Sequence, residues 1–461
     1  MSPTAVGLIL FSIFFIFAAL MYTGKLPALL ALPLMAAALY LVGGAFYHGV
    51  SPHAPGWNIG ILLAEFVRVV IEEGMPRMWH YVITVLLGAI LAELLKESGV
   101  SRTIIRWASE LGGDHKIVMC ILLTAATAVL FVSLTGLGSV IMVASIVIPI
   151  LLGIGVPPPV AGSLFLFGMS LGGAFNPVNW GFFVEFMTKS GGMERAAAQQ
   201  QLLGFVVPFA GIFILVTVVF VLLNARRGFS SFWAIPQSGS TPEKQQDAGP
   251  LALLSPIIPI LLVIGFNLIS RIKGGQGYIF PINTALLIGV LYCLAVSGRG
   301  ANGRIQRLTK AIFEGISGTA PVAALIIGIG MIIRVVWDPA VGTYMEPVLK
   351  QIIPSGPILY VIVFTLLAPL ALYRGPLNVW GMGSALAAVM IGTGVLPPVA
   401  IMGALYSVGM IQGVSDPTNT HNAWIAGFLG EDVQVFTRKT LPYTWILAAI
   451  GLALSAFMFL R

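Results

Sequence analysis

The chain has 461 residues, of which 58% are hydrophobic and 9% charged, whereas an ordinary soluble domain carries about 25% charged residues. That composition cannot cover a water-facing surface, which excludes a soluble globular fold. The net charge of +7 resides in polar connections between apolar runs, where membrane orientation explains it more simply than nucleic acid does. Cys120 and Cys293 both lie inside apolar runs and give no sign of a disulfide framework or of metal-ligand spacing.

In chain order, the first half predicts spans at about 4–22, 27–48 and 79–95, a re-entrant hairpin at 117–152, and spans at about 157–178 and 202–224. Residues 1–22 have no basic leading region and no clear cleavage site, so they read as a retained first helix. Residues 226–250, rich in Gly, Ser, Pro and Gln, read as an exposed cytoplasmic linker between repeats at 1–225 and 251–461. The second half predicts spans at about 251–270, 280–297 and 316–335, a hairpin at 356–392, and spans at about 397–418 and 441–460. The expected fold is therefore an all-α polytopic membrane protein of about ten spanning helices plus two re-entrant hairpins, with broken helices. Between second and third spans, 59–77 and 300–314 stand apart; the latter, with Arg304, Arg307 and Lys310 opposed to Ile305, Leu308 and Ile312, predicts a helix lying in the interface.

The two halves repeat one another. Pro158-Pro159-Val160-Ala161 returns as Pro397-Pro398-Val399-Ala400, and Asn176-Pro177-Val178-Asn179 as Asp416-Pro417-Thr418-Asn419. Thr135-Gly136-Leu137-Gly138-Ser139 falls opposite Arg374-Gly375-Pro376-Leu377-Asn378. The offset is 239 or 240 residues throughout. With each hairpin entering and leaving on one side, each half crosses five times, so the second is inverted. The side richer in Lys and Arg should be cytoplasmic, which places both termini outside.

Backbone leaves helical geometry at membrane depth only where protein or a wet cavity satisfies it. Pro177 and Pro417 break the helical ladder, and the flanking Asn176, Asn179, Ser415, Thr418 and Asn419 offer polar groups there. Ser133, Thr135, Gly136 and Ser139 mark the tip of the first hairpin; Arg374, Gly375 and Asn378 mark that of the second. Arg374 is a cation deep in an apolar region, and its planar fork suits a carboxylate. Asp416, with Asn176, Asn419 and His421, is the candidate coupling-ion site. It could carry a proton, ligate sodium or act as counter-charge to Arg374. Arg334 and Asp338, flanking Trp337, read as a salt-bridged anchor.

These residues resemble the ion transporter superfamily, which includes divalent-anion, citrate, short-chain carboxylate and gluconate permeases. The resemblance covers nearly the whole chain. It implies an elevator mechanism in which hairpin tips and helix breaks, here within 117–188 and 356–423, form a transport domain, while the remaining helices form a scaffold and commonly a homodimer interface. It gives Ser133, Thr135, Gly136, Ser139, Asn176, Asn179, Arg374, Gly375, Asn378, Ser415, Thr418 and Asn419 substrate-binding roles. The paired Ser-Asn-Thr signatures of the divalent-anion branch are not present in that form. The expected function is secondary transport of a small organic anion, a di- or tricarboxylate, coupled to protons or sodium, with proton coupling favoured by Asp416. No cofactor is expected beyond sodium, and no nucleic-acid partner; membrane lipids surround the protein, in a bacterial inner membrane. A gluconate-like or monocarboxylate permease or exchanger, an inorganic-ion antiporter and an intramembrane enzyme are the alternatives. The last lacks any HExxH, GxSxG or paired-Asp signature.

Overall fold

The computed structural model describes the chain except residues 1, 24, 50–58, 114, 225–247, 274–276, 297–300, 352 and 355. Nearly all of the expected linker at 226–250 thus lies outside the described residues. The described part is α-helical: α1 (Pro3–Tyr22), α2 (Ala28–Tyr47), α3 (Ile59–Phe66), α4 (Trp79–Glu97), α5 (Val100–Gly112), α6 (Lys116–Phe131), α7 (Gly136–Gly153), α8 (Pro158–Ala174), α9 (Pro177–Gly191) and α10 (Arg195–Asn224) form the first half. The second comprises α11 (Ile258–Ile272), α12 (Ile282–Val296), α13 (Ala301–Val336), α14 (Pro339–Leu349), α15 (Pro357–Leu367), α16 (Ser384–Gly392), α17 (Pro398–Ser415), α18 (Thr420–Leu429) and α19 (Val433–Phe459).

Eight segments among the described residues are long and apolar enough to cross a membrane, or nine when the bent pair α8–α9 is taken as one span. The chain is a multi-pass membrane protein. The expected spans at 251–270 and 280–297 are α11 and α12, of 15 residues each; at 1.5 Å per residue such helices reach about 22 Å, short of a hydrocarbon core of roughly 30 Å. The interfacial helix expected at 300–314 is not separate. It is the first part of α13, which runs 36 residues without interruption through Pro321. Its partner stretch likewise runs on, α3 passing through a π turn at Val67–Glu72 and a 3-10 turn at Met75–Met78 into α4.

Proline places the boundaries as physics requires. Pro158 opens α8 and Pro398 opens α17, where a missing N–H costs nothing. Pro177 opens α9 after Asn176, and the axis turns by 51° there. In the second half α17 and α18 form one 32-residue apolar segment interrupted at 416–419.

Helix directions follow from side-chain contacts. Ser170 meets Gly413 and Ala174 meets Tyr406, so α8 and α17 are antiparallel. Phe205 packs on Phe459 and Phe220 on Tyr443, so α10 and α19 are antiparallel too. Gly315 lies on Ala89 and Gly330 on Arg77, giving the same relation for α13 and the α4 segment. Each of these pairs joins equivalent elements of the two halves. Within the first half, Gly168 abuts Thr124 and Gly172 abuts Ala128, so α6 and α8 run parallel and the intervening α7 returns between them. The helices that bear the breaks, α8 and α17, are buried almost all round, whereas α1, α10 and α19 expose apolar side chains outward.

The α6–α8 approach depends on glycine. A Cβ on Gly172 would lie 2.3 Å from the backbone oxygen of Ala128, an overlap that forces the helices apart. Gly172→Leu is expected to lower stability by about 1–3 kcal/mol, read as an earlier thermal unfolding of detergent-purified protein. Gly211→Leu, on α10 with nothing within 4 Å of its Cβ position, should leave unfolding unchanged.

Candidate functional site

Each helix break is tied to the turn expected as the hairpin tip of its own half. In the first half Asn176, buried at the start of α9, accepts the Val178 N–H with Oδ1 (2.9 Å), which caps the helix. Its Nδ2 donates to the carbonyls of Phe131 (3.1 Å) and Leu134 (3.3 Å), where α6 ends and the tip begins. In the second half Asp416, 1% exposed, does the complementary thing. Its Oδ1 accepts from Tyr373 N (2.9 Å), Thr418 N (2.9 Å) and Thr418 Oγ1 (2.8 Å), and its Oδ2 accepts from Asn378 Nδ2 (3.4 Å). The amide faces carbonyls, the carboxylate faces N–H groups, and the Asn/Asp difference between the repeats follows from that reversal.

The second tip has the less regular backbone. After α15 the chain turns through a 3-10 stretch, Ala368–Arg374, in which Leu372 is extended and Tyr373 is left-handed at φ 55°, ψ 34°. Tyr373 is the one non-glycine with positive φ among the described residues, a conformation that costs about 1 kcal/mol or more. That turn aims its N–H at Asp416, while its hydroxyl is hydrogen-bonded to Gln434. Gly375 is obligatory for a different reason, since a Cβ there would lie 2.1 Å from the Leu370 oxygen. Asn378 closes the loop, donating to Ala371 O (3.1 Å) and accepting Trp380 N–H (3.0 Å) ahead of a π turn at Val379–Gly383. The backbone of Arg374 is described, but its side chain lies outside the described residues.

The amides one turn further on also repeat. Asn179 Nδ2 donates to Gly173 O (2.7 Å), which also accepts the Asn176 N–H (3.2 Å), and Asn419 Nδ2 donates to Gln412 O (3.3 Å), each reaching back across its break to the last turn of the preceding helix. Asn419 also caps α18 by accepting His421 N–H (3.2 Å), and Thr418 stands exposed beside Asp416. Other expected residues turn elsewhere. Ser133 is buried and donates to Pro256 O (2.6 Å), joining the first tip to the start of the second half. Ser415 is engaged by the hydroxyls of Thr440 (2.8 Å) and Thr444 (2.9 Å) on α19. Ser139 is buried in α7, whereas Thr135 is half-buried and Gly136, at φ 80°, is exposed at the tip.

Several participants carry no local sequence signal. Tyr373 reads as an ordinary aromatic, and Asn422, whose Nδ2 donates to Val414 O (3.2 Å) and Asp416 O (2.9 Å), lies beyond the repeated motif. Ser170, where α8 crosses α17 at Gly413, has a buried hydroxyl with no hydrogen-bond partner among the described residues. The Arg334–Asp338 anchor is present (3.0 Å) and extends through Glu73 (2.5 Å) to Arg68 (2.6 Å from Glu73) and on to Glu65. This chain of charges links the α3–α4 segment to α13 and α14. Among the described residues no group of three or more His, Cys, Asp or Glu could hold a metal ion.

Compared with solved structures, the chain is similar to the YdaH transporter of Alcanivorax borkumensis, whose crystal structure is described as revealing an unusual topology. The match has a TM-score of 0.61 and covers 93% of this chain and 98% of that one, at 14% identity. No protein-family model matches the sequence, and no curated protein matches it. At this identity the likeness shows the fold alone, an all-α, multi-pass membrane fold shared with that transporter.

Proposed function

We propose that the chain is a secondary active transporter of a small organic anion, a di- or tricarboxylate, driven by protons or sodium and working by an elevator mechanism. The observation that carries this reading is the bonding of each helix break to its own hairpin tip, Asn176 to 131–134 and Asp416 to 373–378. Such bonding makes tip and break one rigid body, which is what a moving domain made of 117–188 and 356–423 requires. The antiparallel pairing of α4 with α13, α8 with α17 and α10 with α19 supports two inverted repeats, a homologous half facing each side. A homodimer in a bacterial inner membrane, with both termini outside, completes the reading.

In this account the substrate carboxylate binds Arg374 and the neutral amides at the tips and breaks, with Thr135, Gly136, Gly375, Thr418 and the neighbouring amides lining the site. Asp416, with Asn176, Asn419 and His421 nearby in sequence or repeat position, holds the coupling ion. Anion and cation together leave the moving domain with less net charge than either alone, which lowers the cost of carrying it through hydrocarbon.

Binding of a carboxylate panel (citrate, succinate, gluconate, acetate) to purified protein tests the assignment by calorimetry. Arg374→Ala is expected to weaken binding by roughly 2–5 kcal/mol, and Arg374→Lys to recover part of it, because lysine keeps the charge and loses the bidentate fork. Undiminished binding by Arg374→Ala would remove Arg374 from the site.

A further inference from the structure

Away from both breaks, the last turns of α9 are fastened to α4 and α10 by ionisable groups that the repeat does not duplicate. Glu185 on α9 is fully buried, 0% exposed. Its Oε2 is bonded to Arg195 at the start of α10, and its Oε1 lies 3.7 Å from Nδ1 of His80 in the first turn of α4. Neither Oε1 nor Nδ1 makes a hydrogen bond among the described residues. A buried carboxylate oxygen without a donor is costly, and a gap of this width to an imidazole nitrogen closes when a proton or a water is shared between them. The other charged groups facing Glu185 are Lys189, on its own helix, and Arg77, in the turn before α4, whose Nη2 donates to Lys189 O (2.6 Å). At the equivalent position of the second half stands Ile425, so the cluster belongs to one side only.

The side chain of His80 is 33% exposed, which gives the buried carboxylate a route to the outside. We propose that Glu185 and His80 form a proton-binding latch between the moving and fixed parts of the transporter, with Arg195 as its clasp. A proton taken up at His80 Nδ1 passes to Glu185 Oε1: the N–H bond breaks as the O–H bond forms, and the imidazole returns to neutral. The carboxylate becomes a neutral carboxyl, the Coulombic part of its bond to Arg195 vanishes, and α9 is released from α10. Loss of the proton restores the ion pair and re-fastens the helix. This assignment rests on the reading of 117–188 as part of a moving domain, for Glu185 lies within it while His80 and Arg195 lie in the scaffold. The latch faces the side expected to be outside, so the protons that open it come from there.

Two measurements on the full-length protein separate the latch from that reading. In lipid-reconstituted protein, acidification should produce an infrared carboxyl C=O band that is absent in Glu185→Gln and shifted in His80→Gln; identical spectra for wild type and Glu185→Gln overturn the latch whether or not any substrate has been found. In proteoliposomes, Glu185→Gln should lower pH-gradient-driven accumulation of whichever panel carboxylate the wild type concentrates by about tenfold or more, while substrate exchange at equal pH continues. Wild-type accumulation left intact in Glu185→Gln refutes the latch and leaves the transporter reading standing. No wild-type uptake of any panel anion refutes the transporter reading and with it the latch, whereas an infrared spectrum unchanged in Glu185→Gln refutes the latch alone. Glutamine keeps the size of Glu185 and an acceptor for Arg195, and His80→Gln, at the partly exposed end, supplies a second variant should the first not fold.

Discussion

Asn176→Asp is expected to prevent accumulation of folded protein. The substitution is nearly isosteric, yet it replaces an amide that donates to the carbonyls of Phe131 and Leu134 with a carboxylate that can donate to neither. Three oxygen-bearing groups would then face one another at a site that is 1% exposed. Orphaning two acceptors and burying an uncompensated charge together cost roughly 4 kcal/mol or more, a large part of the stability of most proteins. Asn176→Ala removes the same donors without introducing charge and should be the milder of the two. Fluorescence-detected size exclusion after expression separates them: a monodisperse peak for Ala at reduced height and none for Asp. A normal Asp variant would mean that the first tip is not held by this side chain.

Asp416→Ala is expected to detach the second tip. It leaves the N–H groups of Tyr373 and Thr418 without their acceptor, at about 1–3 kcal/mol for each that stays dry, and it removes the bond that holds Tyr373 left-handed. Transport should be lost and thermal stability lowered. Asp416→Asn retains an oxygen for those N–H groups while setting its own amide against that of Asn378, so its stability should fall by only about 1 kcal/mol. The pair of variants separates two roles. If Asp416→Asn unfolds near wild type but fails to accumulate substrate against a gradient, the carboxylate serves coupling as well as structure; if both properties survive, Asp416 is structural alone.

The longer spans and both breaks were legible because each rests on a strong local signal: apolar length, the Pro158 and Pro398 helix starts, and Pro177 and Pro417 beside polar residues. The repeat made Asn176 and Asp416 stand out together. What stayed hidden depends on partners distant in sequence. Ser133 and Ser415 carry hydroxyls suited to a ligand, but packing turns them onto Pro256 and α19, and no pattern within either motif encodes that. The helix of 300–314 looked amphipathic, yet it continues straight into α13 because nothing between Phe313 and Gly315 breaks it. Glu185 carries no signal in the sequence, since one acid in an aromatic-rich helix, with no counterpart in the second half, gains meaning only when α4 and α10 bring His80 and Arg195 against it.

Uptake by purified protein in proteoliposomes, with labelled citrate, succinate, gluconate and acetate and with proton and sodium gradients imposed separately, decides whether the chain carries a small organic anion. Saturable uptake of at least one of these anions is expected, rising with one of the two gradients and disappearing in Arg374→Ala. Protein that is folded and correctly reconstituted but takes up none of them under either gradient would contradict that expectation.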